Sequence, residues 1–184
     1  MKPAGSPKWI IRPEKPGDLG HVLHLHGLLY AEEHGFDITF EGCVAAGLAE
    51  FAASFRDHKD RLWIAEAGGE VVGSIAIFGR SDSEAQLRWF LVHPAHRGRG
   101  LGRSLLSEAL TFCRQAGYKT VFLWTLAHLQ AACRLYESVG FKKTEEKTHL
   151  LWGQMLTEER YELKTVSEKE LTPHNKRIVA WYSS

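Results

Sequence analysis

Residues 97–102 read Arg97-Gly98-Arg99-Gly100-Leu101-Gly102, with Arg103 next. They follow an apolar run of strand character, Gln86 to Val92, and open an amphipathic segment from Leu101 to Ala116. A strand that turns through glycines into a helix creates an anion site. The first helical N–H groups have no carbonyl partners and point outward, and the helix dipole adds positive potential. Glycine lets a phosphate approach the backbone without meeting a Cβ. Arg97, Arg99 and Arg103 add charge around the same turn. The chemistry to expect here is the holding of a phosphorylated ligand.

Three glycine motifs hold phosphates this way, and spacing separates them. A P-loop ends in Gly-Lys-Ser/Thr so that the lysine reaches the phosphates. Here Gly102 is followed by Arg103-Ser104 and the spacer is wrong. The dinucleotide fingerprint has glycines at its first, third and sixth positions, on the first strand of a parallel unit. Here the third glycine falls one position early, and the motif sits in the middle of the chain. The third motif, Arg/Gln-x-x-Gly-x-Gly/Ala, binds the pyrophosphate of an acyl-CoA. Arg97 to Gly102 satisfies it at every specified position.

The elements that must position this turn are readable from periodicity. Trp9-Ile10-Ile11 is a short strand closed by Pro13. Leu19 to Glu33 carries apolar residues at helical spacing and ends at Gly35. Asp37 or Thr39 can cap a second helix, which carries Phe40, Val44, Leu48 and Phe51. Leu62–Ala65 and Val71–Ile77, joined through Gly68-Gly69, read as a hairpin. After the glycine turn come a strand at Thr120–Thr125, a short helix at Ala131–Val139, and strands from Phe141 and at Met155–Leu163. This order specifies an α/β (α+β) fold, with a mixed sheet flanked by helices. One domain is expected over residues 8–165. The tail, 166–184, carries a late apolar cluster, Ile178 to Tyr182, expected to dock on the body or on a second subunit.

Composition narrows the partners. The 184 residues are 44% hydrophobic and 24% charged, enough for one substantial core. Lys+Arg total 23 against Asp+Glu 22, so no basic field marks nucleic acid as a partner. No apolar run is long enough to span a bilayer, and residues 1–8 lack a signal-peptide core. Cytoplasmic residence without membrane attachment is the expectation. Cys43, Cys113 and Cys133 read as reduced, mostly buried thiols rather than a disulfide framework. His21 and His24 share a helical face but have no third ligand nearby, so no metal is expected.

Leu91-Val92-His93-Pro94, the turn at residues 97–102, and Leu135-Tyr136-Glu137-Ser138-Val139-Gly140-Phe141 together resemble the GNAT superfamily of N-acetyltransferases. Gln86–Leu91, Tyr30–Gly35 and Thr157–Leu163 look closer to the acetyltransferase modules often fused behind MarR-type DNA-binding domains. Too few residues precede Trp9 for such a domain, so a lone catalytic module is expected. The resemblance implies the GNAT fold: a mostly antiparallel sheet of about seven strands with about four helices. It implies acetyl-CoA as co-substrate, an amine acceptor that is a small molecule or a protein, and homodimerisation as a common state.

Roles follow residue by residue from that resemblance. Phe90, Leu91 and Val92 would line the pantetheine arm. The N–H groups from Arg97 through Gly98, Arg99, Gly100, Leu101, Gly102 and Arg103 would hold the pyrophosphate. Tyr136 stands where the family has a tyrosine near the CoA sulfur, a general acid for the departing thiolate. Two positions depart from the family. Gln86 stands where many members have a glutamate base, and Leu129 stands where many have an asparagine. Glu33 or Glu32, at the end of the first helix, are then the candidate base or binders of a cationic acceptor, with Glu84 a weaker option. Trp89 and Trp124 are candidates for the acceptor wall. No cysteine matches a family nucleophile, so direct transfer is expected. The alternative is a non-catalytic module that binds or senses acyl-CoA.

Overall fold

The periodicity resolves into seven strands and four α-helices over residues 9–165, the part that the computed structural model describes. In chain order they are β1 (Ile10–Pro13), α1 (Asp18–His34), α2 (Ile38–Ala53), β2 (Arg61–Ala67), β3 (Glu70–Gly79), β4 (Glu84–Val92), α3 (Leu101–Gln115), β5 (Thr120–Leu126), α4 (Gln130–Ser138), β6 (Lys142–Leu151) and β7 (Gln154–Lys164). A single 3-10 turn, Pro94–His96, links β4 to the glycine turn. The expected docking of the 166–184 tail lies outside the described residues.

One sheet holds all seven strands in the order β1-β2-β3-β4-β5-β7-β6. Every neighbouring pair is antiparallel except β4 and β5. The expected mixed, mostly antiparallel sheet with four helices is therefore what forms. Each face of the sheet buries its own core. Leu101, Leu105, Leu106 and Ala109 of α3 and Cys133 and Tyr136 of α4 pack on one face, with Ile75, Leu87 and Val121. Val22 of α1 and Phe40, Val44, Leu48 and Phe51 of α2 pack on the other, with Ile64, Phe78 and Trp89.

Local chemistry sets the helix ends. Gly35 takes φ +70 and donates its N–H to the Ala31 carbonyl at 2.9 Å, a left-handed cap that stops α1. Asp37, not Thr39, caps α2: its Oδ1 accepts the Thr39 N–H at 2.9 Å. The β6–β7 hairpin turns through Trp152-Gly153, both at positive φ, as a tight two-residue turn requires. Its tip is fastened to the α1–α2 junction. Gln154 Nε2 donates to the His34 carbonyl at 2.7 Å, and Trp152 packs on Phe36 and Phe40.

Asp60 anchors the connection from α2 into β2. It is fully buried and accepts from the Arg56 backbone N–H at 2.8 Å, Arg56 Nε at 3.1 Å and the Gly79 N–H at 2.7 Å. Asp60→Ala would leave two backbone donors without partners and strip Arg56 of its counter-charge, leaving only its Nη2 bond to the Gly79 carbonyl at 2.9 Å. It should lower stability by about 3 kcal/mol, read as a clear drop in the urea midpoint.

Candidate active site

The parallel pairing of β4 with β5 is short. Glu84, Ala85 and Gln86 pair with Thr120, Val121 and Phe122, and the register stops there. Beyond it the strands diverge, each still held on its other edge, β4 by β3 and β5 by β7. A β-bulge in β4 accompanies the divergence: Ala76 faces Arg88 and Ser74 faces Leu91, so three residue steps on β4 oppose two on β3. Trp89 takes φ +46, rare for a residue with a Cβ, and its carbonyl accepts the Ser74 hydroxyl at 2.7 Å. The extra residue inverts which face each side chain takes. Leu87 packs toward α3, Trp89 toward α2, and Phe90 and Val92 toward α3 again.

Two cavities open in the cleft so formed. One, about 500 Å³, is lined by Phe90, Val92, Arg97, Gly98, Gly102 and the start of α4. The other, about 450 Å³, is lined by Arg88, Trp89, Trp124, Trp152 and part of α2. They share Tyr30, Phe90, Leu129, Ala132 and Tyr136.

The first cavity ends at the glycine turn. Gly98 and Gly100 take φ +71 and +89, a backbone shape that residues with a Cβ rarely adopt. Gly100 sits at the N-cap of α3, and its carbonyl accepts the Ser104 N–H at 3.0 Å. The N–H groups of Leu101, Gly102 and Arg103 precede the first intrahelical bond and stay open to an anion. Arg97 donates Nε to the Val92 carbonyl at 2.8 Å and both Nη groups to Glu33, at 2.6 and 2.8 Å. Arg99 and Arg103 are exposed and line neither cavity. Leu91 and Leu101 are both buried away from the cleft. The cavity wall therefore consists of Phe90 and Val92, without the expected Leu91, because the bulge resets the alternation.

Tyr136, on α4, stands where the cavities join. Its ring lies 6.0 Å from that of Phe90 and 5.8 Å from that of Phe141, which is buried in the core. Burial pushes its hydroxyl well above the ordinary phenol range, and the neighbouring Tyr30 adds to the effect. The hydroxyl makes no hydrogen bond to the described residues. A protonated O–H with no partner among the described residues suits donation to an anion formed there. Tyr30 also lines both cavities, and burial pushes it up to about 12.

The acidic pair lies elsewhere. Glu33 lines the first cavity, and its hydrogen bonds from Arg97 hold its carboxyl below the ordinary range. Glu32 is exposed and lines neither cavity. The structure thus does not bring either to the second cavity, the side expected for the acceptor, because α1 aims Glu33 at the glycine turn. Gln86 reaches that cavity, but its Oε1 accepts from Arg80 Nε and Nη2 at 2.9 and 2.8 Å. Trp89 and Trp124 both line it, Trp89 mainly as core against Phe51, 5.4 Å away. Arg88, Tyr30, His26 and Trp152 complete the site and were not expected from the sequence. An arginine inside the apolar run Leu87 to Val92 was the available signal for Arg88. His26 is buried, bonded through Nδ1 to the Val22 carbonyl at 2.8 Å, and burial lowers it to about 4. No group of three or more His, Cys, Asp or Glu among the described residues could hold a metal ion.

Comparison with known proteins agrees with this architecture. Residues 21–141 match the acetyltransferase (GNAT) family, and the chain belongs to that family. It is 34% identical to rat N-acetyltransferase 8 over 110 residues, which are 56% of this chain and 50% of the rat protein. Mouse N-acetyltransferase 8 is 36% identical over a stretch of the same length, 56% of this chain and 48% of the mouse protein. The chain therefore spans about half the length of the curated relatives it matches. Among solved structures, an acetyltransferase from Streptococcus agalactiae superposes with a TM-score of 0.72 at 23% identity, covering 87% of this chain and 100% of that one. The yncA protein of Salmonella typhimurium, solved with its cofactor acetyl-CoA, superposes at 0.70 and 21% identity, covering 85% and 94%. Spermidine N-acetyltransferase from Vibrio cholerae, in complex with CoA and spermine, superposes at 0.66 and 18% identity, covering 86% and 96%.

The unpartnered hydroxyl of Tyr136 gives a stability prediction. Tyr136→Phe removes no hydrogen bond and should leave stability within about 0.5 kcal/mol of the parent. Tyr161→Phe removes the hydroxyl that donates to Glu159 at 3.0 Å and should cost about 1–2 kcal/mol. Thermal unfolding of the two variants side by side checks the contrast.

Proposed function

We propose that this chain transfers an acetyl group from acetyl-CoA to a primary amine, directly, within one ternary complex. The observation that carries the reading is the meeting of two cavities at Tyr136, whose hydroxyl has no partner among the described residues. The cavity bounded by Phe90, Val92 and the α3 N-terminus suits an extended arm ending in a pyrophosphate. The open edge of β4 beyond Gln86 offers backbone donors and acceptors to that arm. The other cavity, with aromatic walls, is left for the acceptor.

The proton inventory follows. The amine nitrogen attacks the thioester carbon, the carbon–sulfur bond breaks, and the sulfur leaves with the electron pair. Tyr136 donates its hydroxyl proton to that sulfur and recovers one from solvent. A primary amine is mostly protonated at neutral pH, so one proton must leave before attack, and the nitrogen sheds a second as the amide forms. Neither Glu32 nor Glu33 faces the acceptor cavity, and His26 is too weakly basic to take either proton at neutral pH. We assign the removal of both to water in the cleft. Cys113 and Cys133 are buried, with thiols pushed up by burial, which disfavours either as the carrier of a covalent acetyl group; Cys43, exposed on α2, lines the acceptor-side cavity and not the donor one. Cytoplasmic residence and homodimerisation belong to the same reading. The narrower likeness to MarR-fused modules rests on sequence segments alone and names no acceptor.

Calorimetric titration with acetyl-CoA, set against ATP and NAD, tests the donor site. Gly102 is the informative position. A Cβ there would meet Leu135, Phe90 and Val92 at 3.6–3.7 Å, ordinary packing distances, so the fold accepts a side chain that narrows the cavity. Gly102→Val should lose at least tenfold in acetyl-CoA affinity and little thermal stability. No saturable binding by the parent would defeat the reading. For the chemical step, Tyr136→Phe should lower kcat about 100-fold with acetyl-CoA affinity unchanged, and initial-rate plots should intersect rather than run parallel.

The pH profile is a separate check. The Tyr136 pKa is raised, so the acid form persists above the ordinary phenol range and activity should not fall below about pH 10. His26 is lowered to about 4, so it stays neutral from pH 5 upward and adds no break there. The rising limb of kcat/KM should therefore move with the pKa of whichever amine is supplied. A rising limb fixed near one pKa for all amines would point to a protein base instead.

A further inference from the structure

The acceptor-side cavity holds one charged side chain with no hydrogen-bond or ion-pair partner among the described residues. Arg88, on β4 one residue before the bulge, is half-buried and lines this cavity. Its guanidinium lies against the backbone of α2 at Gly47. A Cβ at position 47 would sit 2.7 Å from Nη2 and 3.1 Å from Nη1 and Cζ, so glycine is what makes room for it. Its other flank is the Trp89 ring, with Cζ 4.7 Å from the ring centroid. Held between a helix backbone and an indole, the guanidinium is oriented, yet it donates no hydrogen bond to any described residue.

Other arginines show what a satisfied guanidinium looks like here. Arg12 is paired with Asp18 and Glu66, Arg56 with Asp60, Arg97 with Glu33, and Arg80 with Glu50. Glu50, the acid nearest to Arg88 along α2, is thus already engaged at 2.8 Å by Arg80, which also holds Gln86. The other charged side chains lining the cavity are engaged as well: Glu158 hydrogen-bonds His149 Nε2 at 2.7 Å, and Lys147 pairs with Glu145 at 3.2 Å. Taking a cation out of water without an acceptor is costly, so such a group is retained where a ligand supplies the acceptor. A guanidinium presents a planar fork of donors that matches a carboxylate.

We infer that the acceptor is an amine that also carries a carboxylate, an amino acid rather than a polyamine, and that Arg88 receives the carboxylate. This rests on the acetyltransferase reading and specifies its substrate class. The aromatic walls beside Arg88, Trp89 and Trp124, take the apolar part of such a molecule. The carboxylate fixes the orientation, and the amine is presented toward the junction at Tyr136. A polyamine would instead bring further cations beside a guanidinium that has no counter-charge.

Matched pairs differing only by the carboxylate give the test: L-phenylalanine and 2-phenylethylamine, L-leucine and 3-methylbutylamine, L-methionine and 3-(methylthio)propylamine, with spermidine as a fourth acceptor. With at least one pair, the amino acid should exceed its decarboxylated partner at least tenfold in kcat/KM, mostly through KM. Two variants should erase that ratio while sparing the decarboxylated amine: Arg88→Met, and Gly47→Ala, whose methyl displaces the guanidinium. Arg88→Lys should restore part of it. Neither Arg88→Met nor Gly47→Ala should lower the unfolding temperature, because one removes an unpaired cation and the other improves helix propensity. A purely structural arginine would lower it.

A binding arm is independent of turnover. N-acetyl-L-phenylalanine should bind at least tenfold more tightly than N-acetyl-2-phenylethylamine and shift the Arg88 Nε–Hε resonance in nitrogen-15 spectra. A ratio near one, a ratio that survives Arg88→Met, a preference for spermidine, or no binding by either compound overturns the inference. Failure to bind acetyl-CoA overturns the acetyltransferase reading instead, and the binding arm still decides on Arg88.

Discussion

The separation of β4 from β5 is what everything at the site depends on. Parallel strands in mid-sheet normally bond along their length, and these two stop after Gln86 and Phe122. Sheet twist alone would not part them so early. The bulge supplies the rest: one extra residue at Trp89 bends β4 away, and Ser74 pins the bulged carbonyl with a buried hydrogen bond. The result is a cleft in the interior of the sheet whose edges carry unanswered backbone donors and acceptors. Such edges in a folded protein are answered by a ligand or by water. The same bulge sends Trp89 to one core and Phe90 to the other. The strand therefore serves two packed layers and two cavities at once.

Because each sheet face has its own core, the cleft is held open from both sides. α3 and α4 support the glycine-turn cavity, while α1, α2 and the β6–β7 hairpin tip support the other. Glu33 and Arg97 tie these halves across the mouth of the first cavity. That ion pair is half-exposed, so it contributes modestly to stability. Its main consequence is placement: Arg97 is held by Glu33 and the Val92 carbonyl together, which fixes the guanidinium beside the α3 N-terminus. An anion bound at the turn meets a guanidinium already paired with Glu33, so its main partners are the helix N–H groups.

The sequence carried most of this outline, and physical reasons separate what it conveyed from what it withheld. Helix ends were readable where one residue type does the work, as at Gly35 and Asp37. The glycine turn was readable because its function depends on backbone shape at fixed spacing. Leu91 and Glu32 line neither cavity, and Glu33 lines the glycine-turn cavity rather than the second one. Alternation assumes an unbroken strand, and nothing in Arg88-Trp89-Phe90 advertises a bulge, since Trp89 adopts positive φ against its own preference. The acidic pair was placed by position along α1, but which way a carboxylate turns depends on its nearest cation, and Arg97 lies 64 residues away. Trp152 entered the site through a hairpin tip whose docking on α1 and α2 is a tertiary event.

The electrostatics of the two cavities differ in a way that net charge conceals. The chain carries a formal charge of +1, nearly neutral. Yet several charges near the cleft are locally cancelled, Arg97 by Glu33, Arg80 by Glu50, Lys147 by Glu145. Selectivity then falls to the few groups left unanswered. On the donor side these are backbone N–H groups, which accept an anion of any phosphate chemistry and leave identity to the shape of the arm. In the second cavity, the acceptor side under the proposed function, it is one guanidinium, whose geometry is far more selective because a fork of donors rewards a planar partner. A shared fold with a spermidine acetyltransferase carries no implication for the acceptor, since backbone architecture leaves this charge free to vary. In this chain the bulge, a glycine in α2 and an indole hold that charge at the wall of the acceptor cavity.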